Sequence, residues 1–216
     1  MQDSILAGFK AHLTGGILNG TAFSLLAFFG KALTLSQAGV IFILGSVAGL
    51  LPDLDHDTGK PVTLLFQILS VLIPAILFWR AAKYGGDSPE FIILYFALSY
   101  LFVRYVVCYG INKLTAHRGM MHSIPFALLC GLLGYLFFIS SGTDVALIVG
   151  ISILSGCMVH LVLDELQSFT LKYGFIPNLK RSSGTALKIK ANTLGTTLIV
   201  YVLILLVAVA ILFSLS

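Results

Sequence analysis

Charge is what this sequence has least of. Thirteen Lys and Arg and nine Asp and Glu make up 10% of its 216 residues, while 58% are hydrophobic. A soluble domain carries about a quarter charged residues, so a water-soluble globular fold is excluded, and a mean hydropathy of +1.01 agrees. Cysteine is also scarce. Cys108, Cys130 and Cys157 lie inside apolar runs with no CxxC spacing, which argues against a disulfide framework or a thiolate metal site and leaves them as packing residues. The formal charge of +4 is small, and no nucleic-acid partner is expected. The partner that composition does demand is the lipid bilayer.

What is abundant is long apolar sequence. A membrane span takes roughly 20 mainly apolar residues, with about 17 to 25 tolerated. Seven stretches qualify, over residues 13–30, 35–51, 62–79, 91–109, 124–140, 145–163 and 194–215. The first is the weakest, being rich in Gly, Thr and Asn, and the second is short. Pro74 and the many glycines are compatible with helices packed inside a membrane bundle. The expected fold is an all-α integral membrane protein, a polytopic bundle of about seven transmembrane helices forming one domain over residues 1–216. Residues 1–10 are weakly polar and run straight into the first span, so no cleavable signal peptide is expected.

Connections are short except for a polar, basic loop over residues 165–193 that holds Lys172, Lys180, Arg181, Lys188 and Lys190. If loops are assigned alternately to two faces, those five join Lys10, Lys60, Arg104, Lys113 and Arg118 on one face. Only Lys31, Arg80 and Lys83 fall on the other. Basic residues mark the cytoplasmic side, so the amino terminus is expected inside and the carboxyl terminus outside. The basic loop either serves as this orientation signal or gathers anionic lipid, at about 1 kcal/mol per charge near an anionic surface. Arg104, deep in the fourth span, either pairs with an acidic group or snorkels to the interface.

The five histidines sit in four short stretches that also hold acidic residues or lie near them: Ala11-His12-Leu13, Pro52-Asp53-Leu54-Asp55-His56-Asp57, His117-Arg118-Gly119-Met120-Met121-His122-Ser123, and His160-Leu161-Val162-Leu163-Asp164. Ionisable groups are costly near hydrocarbon, so such a set is a functional-site hypothesis by default. Two spans separate each stretch from the next, and an even number of crossings returns the chain to the same face each time. His160 and Asp164 are four apart and share a helix face, about 5 to 6 Å from one another. His117 and His122, five apart, cannot share one; Gly119 permits a turn between them. Ser123 can cap the fifth helix with Pro125 in its first turn, leaving His122 at the helix mouth. Asp53, Asp55 and Asp57 alternate, so an extended loop would aim them alike.

Mixed imidazole and carboxylate donors suit zinc, manganese or iron better than calcium or magnesium. Asp53, Asp55, Asp57 and Asp164 together would repel strongly without cations, which favours two divalent ions over one. A two-metal site makes a nucleophile from water near neutral pH and clamps both oxygens of an in-line displacement at phosphorus.

At these residues the chain resembles the LexA-regulated inner-membrane metal-dependent hydrolase family (YdjM-like), itself distantly similar to zinc-dependent phospholipase C and nuclease families. That family carries a PD[IL]DH run, an HRG-x-[TS]HS run and an H-x3-D helix, in this order among spans and after an amino-terminal His. Leu51-Pro52-Asp53-Leu54-Asp55-His56, His117-Arg118-Gly119, His122-Ser123, and His160 with Asp164 match it, and the resemblance covers roughly residues 9–167. Met121 stands where the family has Thr or Ser, and Glu165-Leu166-Gln167-Ser168-Phe169 replaces a stretch containing Thr and Gly. The resemblance implies a bacterial inner-membrane location, in which the distribution of basic residues puts the carboxyl terminus on the periplasmic or extracellular side.

The expected function is hydrolysis of phosphoesters, lipid head groups among them, at the cytoplasmic face. The expected ligands are His12, Asp53, Asp55, His56, His117, His122, His160 and Asp164, holding one or two divalent ions, zinc or manganese. His117, His122, Asp55 and Arg118 are the residues expected nearest the chemistry. His12 is otherwise a helix-end residue, the Asp53 to Asp57 run a hydrated loop, and Arg118 a membrane anchor. The alternative function is a divalent-metal transporter or a metal-binding membrane regulator, and a purely structural bundle is the third reading.

Overall fold

The chain's structure is a computed structural model that describes residues 2–55, 60–115, 121–172, 176–179, 187–190 and 194–215. It is all-α apart from one short ribbon, as expected of a polytopic membrane protein. Among the described residues six helices are long and apolar enough to cross a membrane: Gly8–Gly30, Val62–Gly85, Pro89–Ile111, Ile124–Ser141, Thr143–Leu166 and Leu194–Leu215. The seventh apolar helix, Leu35–Ala48, has 14 residues. At 1.5 Å per residue it is about 21 Å long, short of the roughly 30 Å hydrocarbon layer.

Contacts divide the chain into two units, Met1–Asp53 with Gly119–Ser216, and Leu54–Arg118. The first unit opens with α1 (Gln2–Leu25), which widens into a π turn at Leu26–Gly30. Thr34 then starts α2 (Leu35–Ala48) with a full capping box, its side chain accepting from the Gln37 amide while the Gln37 side chain accepts from the Thr34 amide. A 3-10 turn, Leu51–Asp55, follows. Further along, α6 (Ile124–Phe138) is capped by Ser123 with Pro125 in its first turn, as its sequence predicts. α7 (Thr143–Ser168) and α8 (Leu194–Leu215) complete the unit.

Small residues let α1, α2 and α7 approach almost backbone to backbone. Gly16 and Gly20 on α1 face Gly49 and Gly45 at the end of α2. A Cβ on Gly49 would lie 2.7 Å from the Gly16 Cα, and one on Gly16 would collide with the Ser46 carbonyl oxygen. From α7, a Cβ on Gly156 would lie 2.8 Å from the Gly45 carbonyl. Such spacing is how membrane helices gain dispersion contacts when lipid is as apolar as their side chains. The run that looked weakest as a span is therefore a packing face. Its Gly and Asn residues lower its hydropathy because they meet other helices. Around this seam Ile41, Ala48, Val149, Ile153 and Cys157 form the core, and α8 leans on α6 through Val200 and Leu129.

The second unit contains α3 (Lys60–Gly85), α4 (Pro89–Leu101), a π segment (Phe102–Val107) and α5 (Cys108–Thr115). Ser88 caps α4, with Pro89 at its first turn. The Tyr95 hydroxyl donates to the Pro74 carbonyl at 2.9 Å, tying α3 to α4. Arg104 lies in the π segment with its guanidinium 5.8 Å from the Tyr105 ring centroid.

Two expectations need correction. The basic loop does not begin at residue 165. α7 continues to Ser168, because Glu165, Leu166 and Gln167 are good helix formers. An antiparallel ribbon then pairs Phe169–Lys172 with Ile176–Leu179. The stretch at Asp53 is not extended either. Pro52 fixes a φ suited to a helical turn, and the chain from Leu51 to Asp55 winds as a 3-10 turn of about three residues per turn.

The glycine seam makes a stability prediction. Gly16→Val should lower stability by about 1–3 kcal/mol, the usual cost of overpacking. Gly39→Ala, whose Cβ meets nothing within 4 Å, should leave it unchanged or slightly raised. Thermal unfolding in detergent measures both, and equal behaviour of the two variants would refute the seam.

Candidate metal centre

Five of the residues singled out from sequence meet within the first unit. His12 comes from α1 and Asp53 from the 3-10 turn. His122 precedes the Ser123 cap of α6, and His160 and Asp164 share one face of α7. His160 is fully buried and His12 is 5% exposed, whereas the side chains of Asp53, His122 and Asp164 keep 17, 24 and 29%. The cluster is thus sealed on one side and reachable on the other.

His160 sets its chemistry. Its Nδ1 lies 2.8 Å from the carbonyl oxygen of Gly49, one of the α2 carbonyls that a helix end leaves without an intrahelical donor. A carbonyl only accepts, so Nδ1 carries a proton, and in the neutral ring Nε2 carries the lone pair. That Nε2 is buried without a hydrogen-bond partner. It faces Asp53 Oδ1 at 3.6 Å and Asp164 Oδ2 at 3.4 Å. A lone pair held against two anionic oxygens is unfavourable unless a proton or a metal cation lies among them. A ligating histidine whose second nitrogen donates to a backbone carbonyl is the usual way such a ring is oriented.

The other donors converge on the same space. His122 Nε2 is 3.7 Å from Asp53 Oδ1 and 3.5 Å from Asp164 Oδ2. His12 Nε2 is 3.0 Å from the other oxygen of Asp164, Oδ1. The rings of His12 and His160 stack, with centroids 3.9 Å apart and planes 20° apart. Those of His122 and His160 meet edge to face, at 5.4 Å and 65°. Two triples have donor atoms within 4.8 Å of one another, His12 with Asp53 and His160, and His122 with His160 and Asp164. Burial pushes the Asp53 carboxyl up, but the imidazoles of His122, His160 and His12 pull it down by more, so it sits below its ordinary value of 3.8. Asp53 is therefore an anion at neutral pH.

His56, Asp57, His117 and Arg118 lie outside the described residues, as does the side chain of Asp55. Sequence reasoning missed Asn19. It is buried at 8% exposure and donates to the Gly45 and Ser152 carbonyls at 3.2 and 2.9 Å, clamping α1, α2 and α7 two turns below His12. The available signal was its place beside Gly20 in a Gly-rich span, where a polar amide needs a partner. The supporting Gly49 carbonyl carries no such signal, since a backbone group is present at every position.

Fold and cluster together define a polytopic membrane protein with a buried His and Asp group able to hold a metal. The chain belongs to the YdjM inner membrane protein family, whose model matches residues 8–215 and so spans every residue of the cluster. No curated protein and no solved structure matches it.

Asn19→Leu removes two buried hydrogen bonds and should cost about 1–3 kcal/mol. Denaturant titration of the purified protein tests this, and an unchanged midpoint would show the clamp to be energetically idle.

Proposed function

We propose that the protein is a metal-dependent hydrolase of phosphoesters, lipid head groups among them, whose metal is held by residues of the His12, Asp53, His122, His160 and Asp164 cluster. The observation that carries this reading is the bare, buried Nε2 of His160 between two carboxylates. Two carboxylates with neutral imidazoles carry a charge that one divalent cation balances. Nitrogen and oxygen donors together suit zinc or manganese. When bound, such an ion supplies Lewis acidity toward water and toward a phosphoryl oxygen.

Unequal exposure favours a reactive site over a purely structural one. His12 and His160 form a closed floor, while Asp53, His122 and Asp164 remain partly open, which gives metal and substrate an entry path. Asp55, His56, His117 and Arg118 adjoin these residues in the chain. In this reading they complete ligation and water activation, with Arg118 stabilising negative charge on the phosphoryl group. The cluster belongs on the cytoplasmic side of the inner membrane, with the amino terminus inside and the carboxyl terminus in the periplasm, because the basic residues favour that face ten to three. A transport pathway would place donors near mid-membrane on broken helices. Here His12 and His160 stand on unbroken helices, near the ends of their apolar windows.

Elemental analysis of gently purified protein should find stoichiometric divalent metal, absent from a His122→Ala, His160→Ala double variant. Hydrolysis of phosphodiester and phospholipid substrates should disappear with it. Added zinc or manganese at about 100 times its Kd should stabilise the metal-stripped protein by about 2.7 kcal/mol. Protein that takes up no metal after supplementation would end the hydrolase reading.

A further inference from the structure

The stretch that precedes α8 is tied to the metal centre by its backbone. Ile124 is the first residue of α6, so its amide has no intrahelical acceptor, and it donates instead to the Lys188 carbonyl at 3.1 Å. One residue on, the Ile189 carbonyl accepts from the Tyr201 hydroxyl, also at 3.1 Å. Tyr201 stands about two turns into α8. Residues 187–190 are therefore folded back along the start of α8 and pinned at two points, beside the start of α6 that follows His122.

Resting on the hydrolase reading above, we infer that Lys188 binds the phosphate of an anionic phospholipid at the open side of the His and Asp cluster. It is the residue that makes the site select anionic over zwitterionic head groups. Tyr201 is a positioning residue that holds the Lys188 segment in place.

Position comes first. The Lys188 carbonyl touches the Ile124 amide, and Ile124 is two residues after His122, at most about 7.6 Å between Cα atoms. Lysine carries its charge on a flexible four-carbon stem, which spans a gap of that order. Of the four residues 187–190, Lys188 alone is partly buried against the protein, while Leu187, Ile189 and Lys190 are exposed.

Charge gives the ligand its sign. Asp53 and Asp164 together balance one divalent ion, so the centre by itself offers an anionic head group little net attraction. A cation beside the open side, where His122 keeps 24% of its side-chain surface, supplies it. Among the described residues Lys188 is paired with no carboxylate, unlike Lys31, which has Asp144 at 3.5 Å.

The neighbours of Lys188 say that the phosphate belongs to a lipid. Leu187 is 42% and Ile189 59% exposed, next to two lysines in a segment that lies against a membrane helix. Apolar side chains beside ammonium groups suit the boundary where acyl chains meet phosphates. A site for free phosphate would have no use for them.

Binding reads this out without any hydrolysis. Fluorescent short-chain phosphatidylglycerol and phosphatidylcholine, titrated against detergent-purified protein supplied with zinc, are followed by anisotropy. The wild type should bind the anionic lipid at least about fivefold more tightly, the order expected of one basic side chain at an anionic surface. Lys188→Gln should lose most of that preference and Lys188→Arg should keep it. Tyr201→Phe, which changes no charge, should lose part of it. Lys190→Gln should lose less than Lys188→Gln. Equal binding of the two lipids by the wild type, a preference that survives Lys188→Gln, or an equal loss in Lys190→Gln would overturn the inference. So would glycerophosphate, which has no acyl chains, binding as tightly as the lipid. An unchanged preference in Tyr201→Phe would remove its positioning role. With a hydrolysed substrate in hand, Lys188→Gln should raise KM and leave kcat within about twofold, the mark of binding shared by ground and transition states. Metal uptake without a preference that depends on Lys188 overturns this inference alone. Protein that takes up no metal after supplementation ends the hydrolase reading, and with it the assignment of Lys188 to a substrate.

Discussion

The hydrogen bond from His160 to the Gly49 carbonyl is the contact on which the rest of the site depends. It joins α7 to the end of α2, supplies a donor to a carbonyl that the helix cannot satisfy, and fixes the tautomer that exposes Nε2. It forms only because the helices come close enough. Gly49 has the Gly16 Cα and the His12 carbonyl against it, with no room for a side chain. The small-residue seam that holds the bundle together is also the device that orients its most buried imidazole, that of His160. A substitution in the seam should therefore disturb stability and donor geometry together.

Low-dielectric surroundings explain why so few polar groups are spent and why Asn19, His160 and His12 each hold at least one partner. An unpaired polar group in the interior costs more than it would in water. Asn19 answers with two backbone carbonyls, His160 with Gly49, and His12 with Asp164. Two carboxylates among imidazoles remain, and their mutual repulsion is eased by a cation or by protons.

Much of this was legible in the sequence. Hydropathy located every full-length helix, and the last, over residues 194–215, to the residue. Spacing by four put His160 and Asp164 on one helix face, and Ser123 with Pro125 marked the start of α6. What failed was local backbone state. Alternating aspartates suggested an extended loop, whereas Pro52 begins a 3-10 turn. Polar residues after 164 suggested a loop where helix continues. Hydropathy also undervalued the first span, because a glycine lowers the average equally whether it faces lipid, water or another helix. The partners of Asn19 and His160 are backbone carbonyls, which no residue pattern announces.

Convergence of the motifs needs antiparallel return more than full crossings. α2 is too short to span the hydrocarbon unaided, yet the α1–α2 hairpin still brings Asp53 back beside His12. Gly16 facing Gly49, Gly20 facing Gly45, and the Ser24 hydroxyl donating to the Ala38 carbonyl at 2.9 Å trace that return. The same ordering polarises the bundle. His12 and Asp164 lie near one pair of helix ends, four residues after Gly8 and two before Leu166 in their apolar windows. The opposite ends carry an exposed pair, Lys31 with Asp144 at 3.5 Å, of the kind that surface screening leaves nearly neutral in energy. With the His and Asp cluster at one end and an ordinary polar rim at the other, the substrate of the proposed reaction would have to arrive from one side of the membrane, a condition that a phospholipid of the adjoining leaflet would meet without leaving the bilayer.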